Sequence, residues 1–94
     1  MKIRYSFKAA NAIEAEAIEI YYSEFSEDVC RNVINDIQSV TALLREHPEI
    51  GRPHSSQLFR IITSSKYKFV ITYNITNDAI NILDVYRYQN RVMP

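Results

Sequence analysis

Seven residues in the second half of this chain carry groups able to handle a phosphate, a nucleobase or a protein hot spot: Arg60, Lys66, Lys68, Arg87, Tyr88, Gln89 and Arg91. Guanidinium and ammonium groups bind phosphates, phenol rings stack on bases, and aromatic and arginine side chains dominate the energetics of protein interfaces. Arg60 lies between Phe59 and Ile61 in an otherwise apolar run. An arginine there either pairs with a carboxylate at the edge of the core, such as Asp84, or is directed at something outside. The string Tyr86-Arg87-Tyr88-Gln89-Asn90-Arg91 adds cations, amides and rings immediately after a buried strand pattern.

Other chemistries find no residues to carry them. His47 and His54 share a proline-containing loop at a spacing that suits no common metal motif. Cys30 is the one cysteine and falls among the apolar positions of a helical pattern, so it reads as a packed thiol, and neither a disulfide nor a multi-cysteine metal site can form within the chain. The single glycine excludes a glycine-rich phosphate loop, and the tyrosines fall mostly on core positions. No cofactor and no metal is expected.

The positions that carry chemistry are set on a small frame. Ninety-four residues at 47% hydrophobic content make one domain, residues 1–94, too small for a deep catalytic cleft. The net charge is zero, yet residues 1–49 hold 5 basic and 9 acidic side chains and residues 50–94 hold 6 and 2, so the halves carry −4 and +4. A basic half suits an acidic protein or a polynucleotide, whereas a neutral whole argues against strong nonspecific phosphate binding. No run approaches the ~18 apolar residues that a membrane span needs, and a cytoplasmic, reducing location fits the cysteine usage.

The frame reads β-α-α-β-β-β. Lys2 to Phe7 alternates as a short strand, with Ile3, Tyr5 and Phe7 on one side. Ala10, Ile13, Ala17, Ile20 and Tyr21 then recur at helical spacing, giving a helix over Ala9 to Glu24 with Glu14, Glu16, Glu19 and Glu24 turned mostly away. Ser26 caps a second helix, with Glu27 and Asp28 in its first turn and the apolar line Val29, Val33, Ile37, Val40, Leu44; Pro48 and Gly51 end it. His47 to Ser56 is an irregular surface connection. From Gln57 to Arg91 three strands follow, separated by Ser64-Ser65-Lys66 and Thr76-Asn77-Asp78. Tyr67, Phe69, Ile71, Tyr73 and Ile75 share one face, but the last strand changes phase between Ile80-Ile82 and Leu83-Val85, which calls for a bulge or for cover on both faces. Two helices joined by about two residues lie antiparallel, so the expected fold is α+β: an antiparallel sheet with a helical hairpin packed on one face.

This order and three stretches within it resemble the toxins of the RelE/ParE superfamily of bacterial type II toxin–antitoxin systems. The stretches are "LREHPEIGR" from Leu44 to Arg52, similar to the family's Leu-x-x-x-Pro-x-x-Gly-Arg; "LFRI" with Arg60; and "KYKFVITYNI" followed by "INILDVYRYQNR". The Pro-x-x-Gly-Arg exit and the long helix pair look more like the ParE branch. The resemblance implies a plasmid-stabilisation toxin neutralised by a cognate antitoxin. It inhibits growth by binding a macromolecular target such as DNA gyrase without turnover, and its target-binding residues are Arg60, Lys68, Arg87, Tyr88 and Arg91. The alternative within the superfamily is ribosome-dependent cleavage of mRNA, with Arg60, Lys68, Arg87 and Tyr88 as the catalytic set. Against it stand Tyr67-Lys68 in place of the family's Tyr-Arg, which keeps the charge and loses the bidentate fork, a chain that stops at Pro94 before the nuclease branch's last tyrosine, and the neutral charge. Tyr86-Arg87-Tyr88 stands where the ParE branch often has a histidine. A third alternative is a non-toxic relative that keeps only the antitoxin-binding surface.

Overall fold

The structure, a computed structural model, describes residues 1–24, 26–54 and 58–87. Its elements are β1 (Lys2–Tyr5), α1 (Phe7–Glu24), α2 (Glu27–Glu46), β2 (Arg52–Pro53), β3 (Arg60–Thr63), β4 (Phe69–Ile75) and β5 (Ala79–Arg87). They form a five-stranded sheet in the order β1-β5-β4-β3-β2, and α1 and α2 cover one of its faces. The α+β order read from the sequence holds. The sheet is mixed, because β1 joins parallel to β5 while every other pairing is antiparallel. The irregular connection also contributes a strand, since Arg52 and Pro53 pair with Ile61 and Arg60.

The core lies between the helices and the inner face of the sheet. Val33, Ile37, Val40 and Leu44 project from α2, Ala9 and Ile20 from α1, Phe69, Ile71 and Tyr73 from β4, and Ile80, Ile82 and Val85 from β5. The α2 line is the expected one, and its Ser26 cap accepts the Val29 N–H at 3.2 Å. The phase change in the last strand is a β-bulge: Thr72 pairs with Asp84 but Tyr73 with Ile82, so Leu83 is extra and Val85 returns to the face of Ile80 and Ile82.

Two elements differ from the sequence pattern, each for a local reason. Ser6 ends β1, because its hydroxyl accepts the Ala9 N–H at 2.9 Å and donates to the Leu83 carbonyl at the bulge, also at 2.9 Å. An N-cap there puts Phe7 into α1 and leaves it exposed rather than on a strand's inner side. The inward line of α1 is Ala9, Ile13, Glu16 and Ile20 rather than Ala10, Ala17 and Tyr21. Glu16 faces the sheet because Arg87 waits there, and Tyr21, 41% exposed, moves to the solvent side.

Candidate functional site

At one end of the sheet, Arg60 opens β3 directly opposite Tyr73 of β4, so both side chains lie on the helix-covered face. Tyr73 is fully buried. Its hydroxyl donates to the Pro48 carbonyl at 2.7 Å and accepts the Gly51 N–H at 2.8 Å, while the Arg60 Nη1 donates to the carbonyls of Glu49 and Gly51 at 3.0 and 2.8 Å. These four bonds fasten the loop leaving α2 onto the sheet. They also explain the one glycine: a Cβ on Gly51 would stand 2.5 Å from the Tyr73 hydroxyl. Burial raises the Tyr73 pKa above 10.0, with the Gly51 N–H and the Arg60 charge pulling the other way and the Glu49 charge adding to the rise. Arg60 is thus committed to the loop. Asp84 is no partner for it, because Asp84 sits opposite Thr72 on the other face of the sheet, with Lys8 at 3.4 Å.

Lys68 and Arg87 occupy the opposite end of β4. Phe69 pairs with Arg87, and Lys68 is the next residue beyond that pair. Arg60 is four residues away along β4, about 13 Å at strand spacing. Arg87 turns to the helix side, where its Nε meets the Glu16 carboxylate at 2.8 Å and its Nη2 the Glu19 carboxylate at 3.7 Å. With Arg87 at 19% and Glu16 at 13% exposure, the Arg87–Glu16 pair is nearly enclosed. Lys68 is exposed, makes no hydrogen bond or ion pair among the described residues, and has a left-handed backbone, φ 61°. Tyr88 and Arg91 lie outside the described residues, as does Gln89. Of the five candidates, the fold brings Lys68 and Arg87 to one end and sets Arg60 apart.

Three residues that organise these positions were not singled out from the sequence. Glu16 sits among the glutamates of an acidic helix and differs from them only in its spacing from Ile13 and Ile20. Tyr73 reads as packing, and its hydroxyl's role needs the loop in place. Asp36 had a visible sign, since it is the acid immediately before Ile37 in the apolar stripe of α2. It is 6% exposed, and its carboxylate accepts the backbone N–H groups of Lys66 at 3.2 Å and Tyr67 at 2.8 Å. Burial pushes its pKa up, but the Ser64 hydroxyl, those two amides and the Lys66 charge outweigh it, so the carboxyl sits below 3.8.

Away from these ends, a groove of about 300 Å³ between β1, α1 and α2 is lined by Tyr5, Ala10, Ile13, Ile34, Ile37 and Gln38. On the uncovered face of the sheet, His54 stacks on Phe59 at 4.3 Å beside Thr72, Asp84 and Tyr86. Among the described residues no cluster of potential ligands suits a metal ion, and no helix is long and apolar enough to cross a membrane.

No family model and no curated protein matches the chain. Among solved structures it is similar to a chain described as "Chromosomal ParDE TA system from P. aeruginosa", with a TM-score of 0.78 and 21% identity over 93% of this chain and 95% of that one. What the two share is the fold: this chain has a ParE-like α+β architecture, with the helical hairpin on one face of the sheet.

Proposed function

We propose that this protein is the toxin of a ParE-like toxin–antitoxin pair, acting in the cytoplasm to stop growth by binding a macromolecular target such as DNA gyrase. The likeness to a ParDE chain over nearly the full length of both is the observation that carries this reading. Lys68 is its leading target contact, because among the three described candidates it alone is exposed with its charge uncommitted. Arg87 lies at the same end of the sheet, Arg60 holds the loop after α2 at the other end, and Tyr88 and Arg91 are candidate contacts on their residue types alone. Mechanism by binding is favoured over mRNA cleavage by the spacing: a catalytic set would need Arg60 and Lys68 around one phosphate, and five residues of strand, about 17 Å, separate them. The cognate antitoxin covers the Tyr5–Ile13–Ile34–Ile37 groove, whose lining is mainly apolar and open to a helix laid along it.

The test is the order in which labelled thymidine and labelled methionine incorporation fall within minutes of inducing the chain in bacteria. Thymidine falling first is the expected result. Methionine falling first, with truncated transcripts, would move the target to the ribosome and make Arg60, Lys68, Arg87 and Tyr88 the set to substitute. No effect on growth despite soluble expression would leave only an antitoxin-binding relative.

A further inference from the structure

The turn between β3 and β4 is built around a carboxylate that belongs to neither strand. Ser64 and Phe69 close it, with the Ser64 N–H donating to the Phe69 carbonyl and the Phe69 N–H donating to the Ser64 hydroxyl oxygen, both at 2.9 Å. Between them the chain places a lysine, not a glycine or asparagine, in the left-handed region at Lys68. A side chain with a Cβ is disfavoured there, so the conformation persists only where the surroundings hold it. The described group that holds this turn from outside it is Asp36 of α2, which ties down the consecutive amides of Lys66 and Tyr67 and also bonds the buried Ser64 hydroxyl. The helix carrying Asp36 is itself fixed by Val33, Ile37 and Val40 in the core. Lys66, its Nζ over the Tyr67 ring at 5.5 Å, is the charged group facing the carboxylate from the turn.

We propose that Asp36 is the positioning residue of the target-binding surface: it fixes the Ser64–Lys68 turn in the strained conformation that presents Lys68 beside the Arg87 end of β5. The proposal rests on the reading of Lys68 as a target contact. Asp36 itself is buried and touches no target, so its effect is exerted wholly through the turn.

The experiment compares Asp36→Asn, Lys68→Ala and the double variant by growth inhibition on induction, by thermal melting, and by amide exchange and pH-dependent amide shifts of Lys66 and Tyr67. In the wild type the Tyr67 amide should report one protonation below the ordinary carboxylate range, and Asp36→Asn should abolish that titration. The asparagine variant should remain folded, lose about tenfold in Tyr67 amide protection, and inhibit growth as weakly as Lys68→Ala. The double variant should inhibit no less than Lys68→Ala alone, because the two residues act as one unit; a merely structural defect would add to it. Full inhibition by Lys68→Ala would sink the contact reading and the proposal with it. Weak inhibition by Lys68→Ala beside full inhibition by an Asp36→Asn protein with released amides would overturn the proposal alone. Should Asp36→Asn not fold, Ser64→Ala, which keeps the carboxylate and removes one of its donors, must move the Tyr67 amide and growth inhibition in the same direction; unchanged inhibition with a loosened turn would again overturn it.

Discussion

Residue by residue, the basic side chains differ in what they are free to do. A cation in this fold is either spent on holding a segment or left for a partner, and sequence alone does not separate the two. Arg60 holds two loop carbonyls and Tyr73 holds the same loop from beneath. Removing the Tyr73 hydroxyl strands the Gly51 N–H and the Pro48 carbonyl, so Tyr73→Phe should cost about 1–3 kcal/mol in denaturant unfolding without changing the denaturant slope. Tyr73 also predicts an alkaline limb. Its folded pKa is raised, so its contribution to stability is present below its ordinary value of 10.0 and is lost as pH rises through the folded value. Tyr73→Phe should remove that limb from a plot of Tm against pH. For Asp36 the sign is opposite: its pKa is lowered, so its contribution is present above 3.8 and is lost as pH falls through the folded value.

Elements position these residues through contacts that a linear pattern only partly encodes. The line Val33–Ile37–Val40–Leu44 was legible because four spaced aliphatics admit one face, and the resulting stripe decides α2. In α1 the signal was weaker, since alanines, isoleucines and tyrosines occur all round the helix, and a pattern that counts only apolar residues cannot place a glutamate inward. Glu16 lies inward because of Arg87, 71 positions later in the chain. The bulge was half legible: the phase break in β5 announced it, while the bond from Ser6 to Leu83 that fixes it needed the third dimension. The clamp yields a prediction at this scale. Arg87→Ala takes the guanidinium away from a nearly enclosed carboxylate and should destabilise by on the order of 2–3 kcal/mol, below the range for fully buried pairs because some solvent still reaches both groups. Glu16→Gln with Arg87→Gln should recover most of that loss in chemical denaturation, so a defect in growth inhibition that survives in the double variant belongs to target binding.

For the molecule as a whole, the acidic first half and the basic second half meet across the helix–sheet interface, where Arg87 of β5 pairs with Glu16 and Glu19 of α1. Sequence reading reached the α+β class and the helical hairpin. It did not reach the parallel partner of β1, because pairing direction depends on which strand lies free at the sheet's edge after the others have assembled. That pairing sets Lys2 against Ala79 and Tyr5 against Ile82, joining the start of the chain to its last described strand. During synthesis, β1 and both helices leave the ribosome long before their sheet partner exists. Contacts so distant in sequence form slowly and late. The end of the sheet that Lys68 and Arg87 share therefore takes shape only after β5 has been made, behind β1 and both helices.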